Sequence, residues 1–224
     1  MFAVSQYEQI EAIERDHRKP HLVAVLFVRP NSESAAAIVR DFDYLHCRSG
    51  NCCSIYAAGY TNDFTKADNL NYKETTTCNG QVWYYSAHDY DNFRSQLKKR
   101  IPKWSYSGEV ELLLFQSSTS DSKCFDFRNY ITLNITYGQV KEYFSTFFGF
   151  FEAIMYYTEY ALEDPRRGIL TQTGKLKIRE IVELALVECG NEENEVRKIT
   201  QDRRFYRLSA PSKNQSSQLE EIIE

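Results

Sequence analysis

His21-Leu22-Val23-Ala24-Val25-Leu26-Phe27-Val28, followed by Arg29-Pro30-Asn31-Ser32-Glu33, is the stretch that decides the fold class. An apolar run without alternation belongs to a strand buried on both faces, as in a parallel sheet flanked by helices. Arg29-Pro30-Asn31 breaks the run, and Ser32 followed by Glu33 suits a helix start. Ala35, Ile38, Phe42 and Leu45 then recur at steps of three and four, which puts one apolar face on that helix. Ser49-Gly50-Asn51 ends it, and 53–60 reads as a second strand. Strand, helix, strand over 21–60 predicts a right-handed parallel βαβ unit.

The pattern returns further on. Gln81 to Tyr85 is rich in β-formers. Ser86-Ala87-His88-Asp89 has the form of a capping box, and Tyr90, Phe93, Leu97 and Ile101 mark a buried helix face before Pro102. Val110 to Phe115 reads as another strand, so a second βαβ-like unit is expected near 81–116. Thr61 to Gly80, between the units, is polar and has no assignment. Phe125 to Ile135 can hold one more strand. From Gln139 to Leu162 the pattern is helical and apolar on nearly all sides, which fits either a central helix or one shared with a partner. Thr173 to Cys189 makes another amphipathic helix, and residues 5–16 a short one. The expected fold is α/β, a mainly parallel sheet of four or five strands with a helical part over 139–190. It forms one domain over 1–208 with a loose tail at 209–224.

Composition narrows the function. A chain of 224 residues buries roughly 70% of its unfolded surface and needs no staples to fold. Its net charge of −4, from 27 basic and 31 acidic residues, is unlike that of a nucleic-acid coat or a membrane-surface protein. No apolar stretch approaches the ~20 residues that span a bilayer, and no signal peptide is read at Met1 to Glu8, so a cytoplasmic location is expected. The six cysteines then read as reduced, small buried hydrophobes and not as a disulfide framework or a metal site. The 16 Tyr and 14 Phe suit half-buried positions and interfaces.

No phosphate loop, HExxH, GxSxG or zinc-spaced pair occurs, and no cofactor is implied. In an open α/β sheet, ligands bind beyond the carboxyl ends of the strands. Those ends gather Arg29, Asn31 and Ser32 as ligand-binding candidates. They also gather Asp63, His88 and Asp89 as candidates for acid-base or metal-assisted hydrolysis. Ser32 and Asp89 have a plainer role in helix capping. The basic run Arg94, Lys98, Lys99, Arg100 and Lys103 is a nucleic-acid candidate. Cations at a helix C-terminus, favoured by the macrodipole, account for it as well. Phe144, Phe147, Phe148 and Phe151 are the interface candidates of the aromatic helix.

Leu45-His46-Cys47-Arg48-Ser49-Gly50, then Ala58-Gly59-Tyr60, then Trp104-Ser105-Tyr106-Ser107-Gly108-Glu109 resemble a group of uncharacterised bacterial α/β proteins. The resemblance runs over roughly residues 20–155 in the same order. It implies a shared fold and a bacterial source, and carries no activity or residue role. The functional expectation is a non-enzymatic interaction or regulatory protein, self-associating through residues 139–162 or binding a protein partner. The alternatives are a hydrolase at the strand ends and nucleic-acid binding through 94–103.

Overall fold

In the computed structural model, the described residues are 1–15, 21–31, 33–49, 52–120, 123–125, 127, 129–163, 169–170 and 175–209. The first half runs β1 (Phe2–Val4), α1 (Tyr7–Glu14), β2 (Leu22–Phe27), α2 (Glu33–Arg40), α3 (Phe42–Arg48), β3 (Cys53–Ala58), β4 (Tyr60–Thr61), β5 (Lys73–Cys78), β6 (Gln81–Tyr85) and α4 (Ala87–Arg100). The second half runs β7 (Glu111–Ser120), β8 (Lys123–Phe125), β9 (Ile131–Asn134), α5 (Ile135–Val140), α6 (Phe147–Glu163), α7 (Ile178–Glu188), α8 (Glu193–Ile199) and β10 (Tyr206–Leu208).

The main sheet has the order β1-β3-β2-β7-β9-β10, with β8 paired to β7. All six residues of β2 are buried, because it lies between β3 and β7. The pair β2–β3 is parallel and joined through α2 and α3, so the first βαβ unit stands as the apolar run implied. The sheet is α/β but mixed. β1, β2 and β3 are parallel, whereas β7 runs antiparallel to both β2 and β9, and β9 antiparallel to β10.

The second expected unit is corrected by this topology. β6 does not share a sheet with β7; it is the middle strand of a separate antiparallel sheet, β4-β6-β5. Two local devices send the chain there. Gly59 adopts φ +83° between β3 and β4, and a Cβ on it would stand 2.6 Å from Cβ of Tyr90. Asn79 and Gly80, at φ 51° and 69°, then close the β5–β6 hairpin, as two left-handed residues do in a type I′ turn. The stretch 61–80 therefore holds structure of its own.

Residues paired in register share a face of the sheet. Tyr56, Val25, Leu113, Thr132 and Arg207 form one such row. On this face lie α1, through Glu14 against Tyr56, and α4, through Phe93 against Phe27. The opposite face meets the helical second half, where the Cys52 thiol reaches the Met155 carbonyl of α6 and Gln116 accepts from the Leu176 N–H. The aromatic helix is shorter than expected. A break at Lys141–Thr146, with Glu142 at φ 58°, separates α5 from α6.

Phe144, Phe147 and Phe151 are buried within the single chain, and Phe147 stacks on Phe151. As interface candidates these three are corrected: their rings fill the chain's own core. Phe148 is half-buried against Tyr44, and Tyr156 is the exposed ring of α6. No helix among the described residues is long and apolar enough to cross a membrane. The tail from 210 lies outside the described residues.

Candidate functional site

Three polar constellations stand out, and of the first the sequence named only Arg29 as a ligand-binding candidate. It lies just past the carboxyl end of β2. Arg29 donates from Nη2 to Oδ1 of Asp91 at 2.7 Å, and Arg94 donates from Nη1 to the same oxygen at 3.0 Å. Both cations rest on rings, Arg29 over Tyr90 at 4.6 Å and Arg94 over Tyr106 at 4.2 Å. Tyr85, Tyr90 and Tyr106 pack edge-on or tilted around them. Burial pushes the Tyr85 hydroxyl up to about 12, and Arg29 beside it offsets part of that rise. Asn31 is exposed, and its N–H closes back on the Arg29 carbonyl. Ser32 lies outside the described residues.

The hydrolytic candidates only partly converge. Asp63 is exposed and accepts from the N–H and hydroxyl of Thr65, which caps a short turn of helix. Asp89 accepts from the Tyr72 hydroxyl at 2.6 Å. Tyr72 is raised to about 12, by burial first, then by Asp89 and the more distant Asp63. His88 is exposed, and its Nε2 pairs with the Asn92 amide at 2.9 Å. Consecutive helical residues diverge by about 100°, so His88 and Asp89 serve different neighbours. The Asp89 N–H donates to the Ser86 hydroxyl, which is the capping role.

The basic run is divided by the tertiary structure. Arg94 is held by Asp91, and Arg100 lies over Tyr7 at 3.9 Å with Glu8 as its ion-pair partner. Lys98 donates to the Trp104 carbonyl. Lys103 lines a cavity.

That cavity is the second constellation, a cleft of about 710 Å³ over the β9–β10 edge of the sheet. Its floor is Trp104, Tyr130, Thr132 and Tyr206, all buried; its rim carries the exposed Lys103, Gln201 and Arg203. Arg207 of β10 reaches under the rim, donating to the carbonyl and hydroxyl of Ser105 at 2.7 and 3.1 Å and to the Glu111 carboxylate. Glu111 is fully buried and also accepts from the Trp104 indole at 2.9 Å and the Ser107 N–H at 2.9 Å. Burial raises its carboxyl, and the Arg207 charge draws it partly back. Three buried polar atoms of the lining residues have no hydrogen-bond partner, Oγ1 of Thr132, the hydroxyl of Tyr206 and Nε of Arg207. The sequence offered Lys103 and the Trp104 segment but not the cleft, because Thr132, Arg203 and Arg207 join them only through β9 and β10.

The third constellation is closed from solvent. His21 Nε2 lies 2.8 Å from Glu14 Oε2 and 3.0 Å from Ser54 Oγ, and Nδ1 lies 3.1 Å from Ser117 Oγ. Tyr56 donates to the other Glu14 oxygen. All of these residues are buried. Cys52 and Cys53 are nearby in sequence, and burial raises both thiols, Cys52 to about 11. Among the described residues no group of three or more His, Cys, Asp or Glu is arranged to hold a metal ion.

Comparison with protein-family models, curated proteins and solved structures yields no match. The segment Trp104–Glu109 lines the cleft with Trp104 and Ser105 and closes the arginine cage with Tyr106.

Proposed function

We propose that this chain acts by binding, as a non-enzymatic regulatory or interaction protein, and that its ligand is an anion of nucleotide size seated in the cleft over β9 and β10. The observation that carries this reading is the lining itself. Three cations, Lys103, Arg203 and Arg207, line the cleft above an aromatic floor that keeps an unpaired Thr132 hydroxyl, and the buried Glu111 pairs with Arg207 from behind it. Small-molecule sites are concave, mostly apolar and oriented by a few polar groups, with volumes of roughly 300–1,000 Å³. The cleft is of that kind and size. The basic run supports the same reading, since Lys103 stands on the rim while Arg94, Lys98 and Arg100 are engaged in the fold.

The anionic aromatic fluorophore 8-anilinonaphthalene-1-sulfonate tests this. Emission at low salt is expected to rise with a single saturable phase on the native protein. Lys103→Ala/Arg203→Ala is expected to weaken that affinity on the order of tenfold, because two charged contacts are removed. An affinity unchanged in the double variant sinks the reading.

A further inference from the structure

We infer that Arg29 and Arg94 form a second binding site, a receptor for a phosphoryl or similar oxyanion, in which Asp91 holds the place of the ligand. The argument begins with how the two arginines are used. A guanidinium beside a carboxylate commonly makes two parallel N–H bonds to two oxygens. Here each arginine spends one terminal nitrogen on the same oxygen, Oδ1 of Asp91, and each buried Nε has no acceptor. Two cations thus converge on one point and leave donors unspent there.

The surroundings are built for it. Tyr85 is only 9% exposed, and its hydroxyl is buried without a hydrogen-bond partner. It stands close enough to Arg29, Arg94 and Asp91 to feel all three charges. The guanidinium planes are fixed on Tyr90 and Tyr106, so little side-chain entropy remains to be lost when an anion arrives. Asp91 is the opposite kind of group. Its side chain is 58% exposed on α4, so it can turn to water. A tetrahedral oxyanion has more acceptor positions than one carboxylate oxygen and can meet the unspent Nε donors and the Tyr85 hydroxyl together. The place is also where ligands meet open α/β sheets, beyond the carboxyl end of a central strand. It is distinct from the cleft, and the Trp104–Ser107 segment runs from one to the other.

Calorimetric titration with inorganic phosphate and with phenyl phosphate, at low salt, tests the inference on the full chain. Asp91→Asn removes the resident anion from an exposed position, and unchanged near-ultraviolet circular dichroism will show that the fold is kept. It is expected to bind one or both probes on the order of tenfold tighter than the native protein. A gain for phosphate alone marks the free ion as the ligand, and a gain for the ester marks a phosphomonoester; either supports the site. Adding Arg94→Lys to Asp91→Asn keeps a charge but removes the fork, and is expected to abolish the gain. Equal affinity in the native protein and Asp91→Asn, or a gain that survives Arg94→Lys, overturns the inference.

Discussion

His21 stands immediately ahead of β2, where it meets a carboxylate, a tyrosine-bound network and two serines with almost no solvent. Burial by itself would raise the Glu14 carboxyl; the hydrogen bond and charge of His21 outweigh it and bring the group below its ordinary value of 4.5. A carboxyl lowered in the fold and ordinary in the unfolded chain adds stability at pH above the ordinary value. That contribution is lost as pH falls through the folded value. The urea midpoint of the native protein is therefore expected to drop on acidification below about pH 4.5, and Glu14→Gln to show a shallower acid slope. At neutral pH the same substitution is expected to cost about 3 kcal/mol, because it breaks a buried pair from one side. Parallel denaturation series across pH check both; identical slopes would remove Glu14 from the account. The network lay beyond sequence reading, since Glu14, His21, Ser54 and Ser117 come from four segments with no shared spacing.

At the scale of elements, the periodic signals were sound and their partners were not visible. Ala35, Ile38, Phe42 and Leu45 are all buried, as their spacing implied, and Ser86 caps α4 as its capping box implied. The Asn79-Gly80 dipeptide is a hairpin signal within the stretch left without assignment, and it closes β5 onto β6. For α6 the aromatic pattern favoured a core helix over an interface without separating the two, and burial of Phe147, Phe150 and Phe151 places those rings in the core. Phe151→Ala is expected to cost about 3–5 kcal/mol, as large-to-small changes in packed cores do. Tyr156→Ala, on the exposed side, is expected to stay within about 0.5 kcal/mol. Chemical denaturation of the two variants decides this. A native-like Phe151→Ala that changes only the subunit count would return the helix to an interface.

At the scale of the molecule, the Trp104–Ser107 segment binds the two candidate sites into one structure. It is held from below by Glu111 and from the edge strand by Arg207, while Tyr106 faces the arginine cage. Glu111 is the charge that engages Arg207, a cation of the cleft. Glu111→Gln keeps a side chain able to accept from Trp104 and leaves the Arg207 charge uncompensated. It is expected to tighten binding of the naphthalenesulfonate probe severalfold, most clearly at low salt. The same fluorescence titration measures it, and weaker or unchanged binding would show that Arg207 serves the fold alone.

What the sequence by itself determined was local: the buried strand β2 and the first βαβ unit, the helix faces, and the Ser86 cap of α4. These follow from periodicity and from hydrogen bonds between near neighbours, and both are written into short stretches of chain. Tertiary structure decided which sheet β6 joins, that β7 and β9 run antiparallel, that Phe147, Phe150 and Phe151 of α6 look inward, and that Arg94, Lys98 and Arg100 are engaged in the fold. Each of these depends on contacts between segments far apart in the chain. A strand's pattern does not name its partner, and a lysine's position does not reveal the carboxylate, ring or carbonyl that will meet it.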